Sequence, residues 1–432
     1  MNTYALSIHS SLEKFRPEIE FVFKCLDYRF PLTRQTSAQR VLHYGPEPPH
    51  GAIALGSHLF PRAVVIGEHG VEVDRDALRA FALDSAQSDP VGLVFLLLSG
   101  IEERAPESPD RYGRMQFENT WLYQQGIYGT TPVDTALAQL ASRLAPGVRA
   151  RERSWPQLMP THDVDRLRGF HRWHVPLREA AGDLVKRRSV NLARTRVQSY
   201  VSGEPWRSVR RLMALSERFQ LQSRFYFMGP SDEPMDSPYC LRDKRLLARV
   251  GTEIRQRGHV VGFHPGFTTP ANPRLWHQQR TGLERVMGEQ VLEGRQHVLR
   301  YEAAVTPRIW GDEGMLLDLT PAYPQQAGFR TGSAHFLPAY CLQERRTLDV
   351  LRGSTSIMEF GMFGGKYRDL DIDSALAEVE PVIRAAVAVA GHCVLLFHSG
   401  HQEARLWRFY ELLLDLASRV SAEAEMSSGE LH

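Results

Sequence analysis

Residues 159–165 read Met-Pro-Thr-His-Asp-Val-Asp and carry two carboxylates two positions apart at the end of a short apolar run. Side chains two positions apart in an extended chain lie on the same face, so Asp163 and Asp165 are expected to lie close together. Two such carboxylates repel each other unless a positive charge neutralises them. The stretch therefore predicts a shared divalent cation or a division into acid–base and ligand roles, although Asp-x-Asp pairs also occur on solvated loops.

Four later segments also carry polar residues directly after apolar runs. They are Gly262-Phe263-His264-Pro265, Gly294-Arg295-Gln296-His297, Gly328-Phe329-Arg330-Thr331-Gly332 and Leu396-Phe397-His398. From Pro156 onward, short apolar runs alternate with helical stretches, which is typical of a parallel α/β arrangement. Because the ends of the strands in such a fold gather functional groups, these segments predict one common site.

The chain is predicted to divide into two domains. Residues 1–150 carry little recognisable chemistry and are expected to form a smaller α/β domain of unknown role. The Arg-rich segment 145–155, with Pro and Gly nearby, is the predicted linker. Residues 151–425 are expected to form the second domain, and residues 426–432 a frayed tail.

The bulk composition indicates an ordinary globular protein. The 432 residues are 43% hydrophobic and 24% charged, which suits two or three domains with ample core. A net charge of +2 gives no case for a nucleic-acid partner. The four cysteines are scattered and indicate neither a disulfide framework nor a cysteine zinc site. Since there is no signal-peptide pattern and no apolar stretch of membrane-spanning length, a cytoplasmic location is expected.

The chain offers a group for each role in amide or ester hydrolysis. Asp163 is a candidate general base for a water whose pKa a metal has lowered. Asp165 and His264 are candidate ligands, a mixture of oxygen and imidazole that suits zinc or a similar first-row metal. His398 is a candidate general acid near neutral pH. Arg295 is expected to orient Asp163 through a two-pronged hydrogen bond.

Two further residues stay open between a substrate contact and a structural role. Arg330 lies between glycines that permit close backbone approach, so an anion or substrate contact and a salt bridge are equally open. His162 is either a substrate contact or a structural histidine. The charges of Glu102-Glu103 are expected to pair with those of Arg111 and Arg114 across a turn, which favours structural salt bridges over catalysis there.

Taken together, these motifs resemble the polysaccharide deacetylase superfamily (NodB homology, carbohydrate esterase family 4). They resemble more closely a bacterial branch with an extra N-terminal domain, whose first strand carries Thr-His-Asp-Val-Asp. The motifs that carry the resemblance are Thr161–Asp165, Gly262–Pro265, Arg295–His297 with Arg300, Gly328–Gly332, His398 and, in the first domain, Leu98–Glu103, Asp110–Arg114 and Thr131–Asp134. The resemblance implies a distorted seven-stranded (β/α) barrel that removes acetyl groups from N-acetylated sugars with a divalent metal.

The resemblance also implies roles for single residues. By motif position, Asp163 matches the catalytic base, His398 the catalytic acid and Arg295 the arginine that supports the base. Asp165 matches a metal ligand, and His264 matches the first histidine of a His-x-x-x-His metal motif. The sequence departs from the family at Thr268, which stands where the second histidine is expected. His297, two residues from Arg295 and so on the same side of a strand, is the predicted substitute ligand.

The leading prediction is a hydrolase of amide bonds, namely a metal-dependent carbohydrate N-deacetylase that uses zinc. Its expected partner is an N-acetylated sugar precursor of a cell-surface glycan, and a homo-oligomer stays open. One alternative is a glycosyltransferase that binds a metal and a nucleotide sugar at Asp163-Val164-Asp165. Another is a catalytically silent sugar-binding protein of the same fold, which Thr268 makes credible. A phosphatase is disfavoured because Arg166-Leu167 replaces the Gly-Thr expected after the second aspartate.

Overall fold

A computed structural model describes the chain apart from residues 1, 37, 105, 107, 153, 168–173, 186–187, 192, 195–196, 198–206, 364–366, 402 and 430–432. The basic stretch from about 166 to 204, whose sequence predicts a helical and irregular insertion, therefore lies partly outside the described residues.

The described strands are β1 (Asn2–Ile8), β2 (Leu32–Arg34), β3 (Val41–Tyr44), β4 (Ile53–Leu55), β5 (Val64–Gly67), β6 (Gly70–Val73), β7 (Leu158–Val164), β8 (Arg224–Phe227), β9 (Val260–Phe263), β10 (Glu293–Gly294), β11 (Leu317–Asp318), β12 (Leu337–Cys341), β13 (Arg346–Arg352), β14 (Ile357–Met358) and β15 (Cys393–Leu396). The described α-helices are α1 (Arg16–Arg29), α2 (Phe60–Ala63), α3 (Arg75–Arg79), α4 (Leu83–Ser88), α5 (Pro90–Ser99), α6 (Trp121–Gln124), α7 (Pro132–Leu144), α8 (His174–Val185), α9 (Arg207–Arg218), α10 (Tyr239–Arg242), α11 (Lys244–Gln256), α12 (Pro273–Met287), α13 (Thr306–Asp312), α14 (Ile372–Ala388) and α15 (Ala404–Gly429).

A nine-stranded sheet forms the body of the chain, in the order β12-β13-β11-β10-β9-β8-β7-β15-β14. All neighbouring strands in it are parallel except β12 and β13. Helices lie between most of the successive parallel strands, which is the crossover that parallel pairing requires. β7 lies between β8 and β15 and is buried along its whole length. The predicted α/β class is therefore confirmed.

The register of the strands brings the predicted site residues to one end of the sheet. Asp163 pairs with Tyr226 in β8, and Thr161 with Leu396 in β15. Asp165, His264 and Arg295 are the first residues after β7, β9 and β10, and His398 follows two residues after β15. Because these strands run in the same direction, the polar residues that follow them share one edge.

A closed seven-stranded barrel is not found in the described sheet, whose edges are β12 and β14. The strands β13 and β14 nevertheless belong to one segment, 346–358, and are separated only by residues 353–356. Gly353 N donates to Asp318 O on one side, and Ser356 N donates to Val394 O on the other. The sheet is therefore strongly curved, and its two ends approach each other along this segment.

The first part of the chain has a parallel sheet of its own, in the order β2-β1-β3-β4, and a β5–β6 hairpin. Every residue of α5 is buried, because this helix packs against α1, α7 and β12. The apolar cluster around α5 also includes Leu337, Tyr340 and Leu342. The first 150 residues thus share packing with the nine-stranded sheet, and the boundary at residue 150 stays a prediction.

The segment Gly328–Gly332, whose sequence predicts a short strand and loop, forms a turn and contains no strand. Gly332 has a φ of 65°, and a Cβ atom there would lie 2.7 Å from Leu97 Cδ1. Just beyond it, Ser333 Oγ and Ala334 N donate to the carboxylate of Asp134 in α7. These glycines therefore permit the first part of the chain, and not a ligand, to approach closely.

The C-terminal helix α15 continues to Gly429, so residues 426–429 of the predicted frayed tail lie in its last turn, and the fraying itself stays a prediction. Residues 430–432 lie outside the described part. Among the helices that the structure describes, none is both long and apolar enough to cross a membrane.

Candidate metal centre and active site

A cavity of about 180 Å³ opens where β7, β9 and β15 end. One side of it is polar and is formed by Asp163, Asp165, His264, His297 and His398. The rest of its wall consists of Tyr112, Arg114, Val298, Leu299, Pro324, Met358, Phe360, Tyr367 and Leu396. The structure thus brings five of the predicted residues together, and it adds residues from the first part of the chain.

Asp165, His264 and His297 face one another across a small gap. His264 Nε2 lies 3.4 Å from Asp165 Oδ1, and His297 Nε2 lies 3.9 Å from the same oxygen. One ligand atom from each residue lies within 4.8 Å of the other two. Two ligands that share a tetrahedral zinc ion are about 3.4 Å apart, since each zinc–ligand bond is about 2.0–2.2 Å long. The spacing therefore suits a small divalent cation.

The surroundings fix the orientation of both histidine rings. His264 Nδ1 lies 2.6 Å from Arg295 O, and a carbonyl oxygen only accepts, so this nitrogen carries the hydrogen. His297 Nδ1 donates in the same way to Asp236 Oδ1 at 2.9 Å. In a neutral ring the lone pair is then on Nε2, the atom that faces Asp165. An acceptor behind each imidazole is also the usual arrangement around a protein-bound metal.

Asp165 carries a buried oxygen atom that accepts no hydrogen bond. Its side chain is 37% exposed, yet Oδ1 is buried and has no hydrogen-bond partner. Burial alone would raise the pKa of Asp165, but the adjacent rings of His264, His297 and His398 keep that pKa well below its usual range. Such a buried, ionised oxygen is costly unless a positive charge lies against it, which is either a proton on a histidine ring or a cation held between Asp165 and the two Nε2 atoms. These residues therefore fit a divalent metal with three protein ligands and one open position.

Asp163 forms an ion pair with Arg295, whose side chain is completely buried. Arg295 Nη1 donates to Asp163 Oδ1 at 2.6 Å, while Nη2 donates to Thr161 Oγ1 and Nε to Leu319 O and Thr355 Oγ1. The predicted two-pronged bond is therefore wrong, since one prong reaches Asp163 and the other nitrogens bind the neighbouring strands. This leaves Asp163 Oδ2 facing the cavity, 3.9 Å from His264 Nε2 and 4.0 Å from His398 Nε2.

His398 is held by Glu359, which follows β14. Its backbone N and its Nδ1 both donate to Glu359 Oε1, at 3.0 and 2.6 Å. His401 Nε2 donates to the same oxygen at 2.6 Å. Burial alone would lower the pKa of His398, but the charge and hydrogen bond of Glu359, together with the charges of Asp165 and Asp163, outweigh it and raise the pKa to about 9. At neutral pH, Nε2 of His398 therefore carries a proton on the side that faces Asp163.

Two predicted substrate contacts do not line the cavity. His162 is buried, with Nδ1 bound to Phe397 O and Nε2 to Ser223 Oγ, and burial lowers its pKa to about 3. Both ring nitrogens are thus engaged inside the protein, and a structural role replaces the predicted contact. Arg330 is buried between Glu102 and Glu103, so its salt-bridge alternative is the one observed.

This pairing also corrects the predicted salt bridges of the first part of the chain. Glu102 and Glu103 bind Arg330 and not Arg111 or Arg114. Arg114 binds Asp110 instead, at 2.6 Å.

Sequence reasoning missed several residues of the site. Glu359 follows the apolar pair Ile357-Met358 at a strand end, and the same signal that identified His398 could have found it. Asp236 lies in a loop between β8 and α10 and carries no such signal. Tyr112 and Arg114 are far from the other residues in the sequence, so only the tertiary structure shows that they line the cavity.

Comparisons with known proteins add a weak likeness. No protein-family model matches the chain, and no curated protein matches it. Among solved structures, a provisionally assigned polysaccharide deacetylase from Mycobacterium smegmatis aligns with a TM-score of 0.39 and 16% identity. The alignment covers 65% of this chain and 94% of that one. A likeness at this level does not assign the chain to a family.

Proposed function

We propose that this chain is a metal-dependent carbohydrate N-deacetylase, which hydrolyses the acetamide of an N-acetylated sugar precursor of a cell-surface glycan. The observation that carries the proposal is that a metal-ligand set, Asp165, His264 and His297, lies in one cavity with a carboxylate and a protonated histidine. We also propose that the parallel strands form a distorted seven-stranded barrel, in which the segment 346–358 contributes β13 at one end of the parallel strands and β14 at the other.

The proposed metal ligands are Asp165 Oδ1 and the Nε2 atoms of His264 and His297. A bound divalent cation, with zinc as the first candidate, would polarise the amide carbonyl and lower the pKa of water. Thr268 is then no defect of the site, because His297 offers the second imidazole. Asp236 would keep His297 in the tautomer that binds metal.

Asp163 is the proposed general base. Its Oδ2 atom faces the cavity beside the ligands, while Oδ1 is occupied by Arg295. The hydrogen bond from Arg295 fixes Oδ1 and so directs the other oxygen at the attacking water. Asp163 would accept the proton of that water at Oδ2 as the new carbon–oxygen bond forms.

His398 is the proposed general acid. Its Nε2 atom lies 4.0 Å from Asp163 Oδ2, so the base and the acid flank the same small space. The pKa of about 9 keeps this ring protonated at neutral pH. His398 would give the Nε2 proton to the sugar nitrogen as the carbon–nitrogen bond breaks, and Glu359 would stabilise the remaining Nδ1–H.

The wall of the cavity favours a small acyl group over a phosphorylated ligand. Leu299, Met358 and Leu396 pack together as one apolar cluster beside the polar side. Arg114 is the one arginine among the described lining residues, and Asp110 neutralises its charge. Apart from a bound metal and the histidines of the polar side, a diphosphate would meet no unpaired cationic side chain among the described lining residues. This observation supports the deacetylase over the glycosyltransferase alternative.

The test is acetate release from N-acetylglucosamine and its oligomers, with metal analysis of the same purified protein. We expect about one equivalent of divalent metal and acetate release that a chelator abolishes and added Zn²⁺ restores. Asp163→Asn is the matched control, because it should retain the metal and lose at least about 100-fold in kcat. Protein without metal, or activity that Asp163→Asn retains, would contradict the proposal. Metal binding without acetate release would favour the silent sugar-binding alternative.

A further inference from the structure

The segment Asp110–Arg114, from the first part of the chain, reaches the wall of the metal cavity next to His297. Arg114 Nη1 donates to Val298 O at 2.8 Å. In the opposite direction, Arg300 Nε donates to Tyr112 O at 3.0 Å. Each of the two segments thus bonds an arginine to a backbone carbonyl of the other. We refer to this pair of contacts, Arg114 to Val298 and Arg300 to Tyr112, as the arginine clasp.

The guanidinium of Arg114 is itself fixed before it reaches Val298. Asp110 Oδ2 accepts from Nε and Nη2 at 2.8 and 2.6 Å, and Tyr367 OH lies 3.1 Å from Nη2. Only 11% of the Arg114 side chain is exposed. A charged group held this firmly is a rigid donor, so the position of Val298 O depends on it.

The arginine clasp holds a turn whose backbone dihedral angles are unfavourable. Val298 has φ 50° and ψ 25°, and Leu299 has φ 58°. A β-branched residue rarely adopts this left-handed region, and it persists only where the surrounding structure holds it. The contacts that hold it include the Arg114 bond to Val298 O and a bond from Arg300 N to His297 O.

His297 immediately precedes this turn, and its Nε2 atom faces Asp165 at 3.9 Å. The ring is fixed at Nδ1 by Asp236, and the backbone N–H donates to Pro265 O at 2.9 Å. The backbone that follows His297 belongs to the strained turn, so the contacts that hold the turn also hold this backbone. Relaxation of Val298 toward an ordinary conformation would require the carbonyl of His297, which accepts from Arg300 N, to move.

We propose that Arg114 is a positioning residue of the metal centre, acting through Val298 to keep His297 Nε2 directed at a divalent cation. The inference rests on the ligand set of the proposed function and adds a role for the first part of the chain. The site is then incomplete without the segment Asp110–Arg114, although no ligand comes from it.

The experiment measures Zn²⁺ affinity by competition with a chromophoric chelator, using the full-length chain. Arg114→Ala and Arg300→Ala are each expected to weaken the affinity about tenfold or more, as is usual when support behind a metal ligand is lost. Because both arginines hold one turn, the double variant should lose clearly less than the product of the two single losses. The absorption of the Co²⁺-substituted protein, which reports ligand geometry, should change in the same variants.

Arg345→Ala is the matched control. Arg345 also joins the two parts of the chain, through a two-pronged bond to Glu18 and a bond to Lys14 O, but it does not line the cavity. This variant should keep the Zn²⁺ affinity within about twofold, because no ligand depends on it. If Arg114→Ala does not fold by circular dichroism, Asp110→Asn replaces it, since it frees the guanidinium and keeps the side-chain volume.

The outcomes are distinct. Wild-type affinity in folded Arg114→Ala, or an equal loss in Arg345→Ala, overturns the inference. A wild-type protein that binds no Zn²⁺ overturns both this inference and the proposed function. A wild-type protein that binds Zn²⁺ and releases no acetate overturns the proposed function alone, and the affinities of the variants still decide the role of Arg114.

Discussion

Glu359 Oε1 accepts both the ring Nδ1–H and the backbone N–H of His398, at 2.6 and 3.0 Å. One buried carboxylate thus fixes the position, the tautomer and the charge of the candidate acid. Its other oxygen, Oε2, is buried without a hydrogen-bond partner. The negative charge of Glu359 therefore acts mainly on the two histidines that surround Oε1.

Removal of this charge should shift the pH dependence of activity. A general acid works below its pKa, so the alkaline limb of kcat/KM in the wild type reflects the raised pKa of His398. In Glu359→Gln the largest opposing contribution to burial is lost, while the charges of Asp165 and Asp163 still raise the pKa of His398, so the limb should move to lower pH by at least about one unit. The measurement is the pH–rate profile of acetate release. His401→Gln is the control, because Glu359 keeps its charge there and the limb should not move downward.

Replacement of His297 tests whether it is the third ligand. His297→Ala should lose Zn²⁺ affinity by far more than tenfold, whereas Asp236→Asn, which retains an acceptor but loses its charge, should lose about tenfold. Both affinities are measured by chelator competition, with Thr268→Ala as the control at the position where the resemblance expects a histidine. Unchanged metal content in His297→Ala would remove His297 from the ligand set.

Arg295 and Asp163 form a buried ion pair whose separation should be costly. Arg295→Met leaves the Asp163 carboxylate buried without its partner and should reduce the free energy of unfolding by about 3–5 kcal/mol. The double variant with Asp163→Asn should recover part of that loss, because no charge then remains. Urea unfolding of the four proteins gives the coupling. Equal losses in the single and double variants would show that Arg295 stabilises the fold independently of Asp163.

His162 should make stability depend on pH. Burial lowers its pKa to about 3 in the folded chain, so between that value and its ordinary pKa the unfolded chain binds the additional proton. Stability from this residue is therefore complete above about pH 6.5 and falls with decreasing pH, by at most about 1.4 kcal/mol per unit. Urea unfolding between about pH 5 and 7 should show a smaller slope in His162→Asn than in the wild type. Equal slopes would mean that His162 does not titrate on unfolding.

Much of the site followed from local pattern. A polar residue directly after an apolar run identified Asp165, His264, Arg295 and His398, because parallel strands end at one edge whatever lies between them. His297 was also predicted to join them, although it begins a 3₁₀ turn after β10 and does not lie on a strand as that prediction assumed. The α/β class followed from the alternation of short apolar runs with helical stretches, which reflects burial alone.

Other features depended on contacts between distant segments. Whether Arg330 binds a ligand or a salt bridge depends on Glu102 and Glu103, more than 200 positions away, and no local pattern carries that information. The pairing of His297 with Asp236 and the clasp between Arg114 and Val298 likewise join loops whose separation in the chain is unrelated to their distance in space. The residue types along each strand specify which groups reach the cavity. The packing of the loops around them decides how each group is oriented, because orientation comes from partners that the neighbouring sequence does not contain.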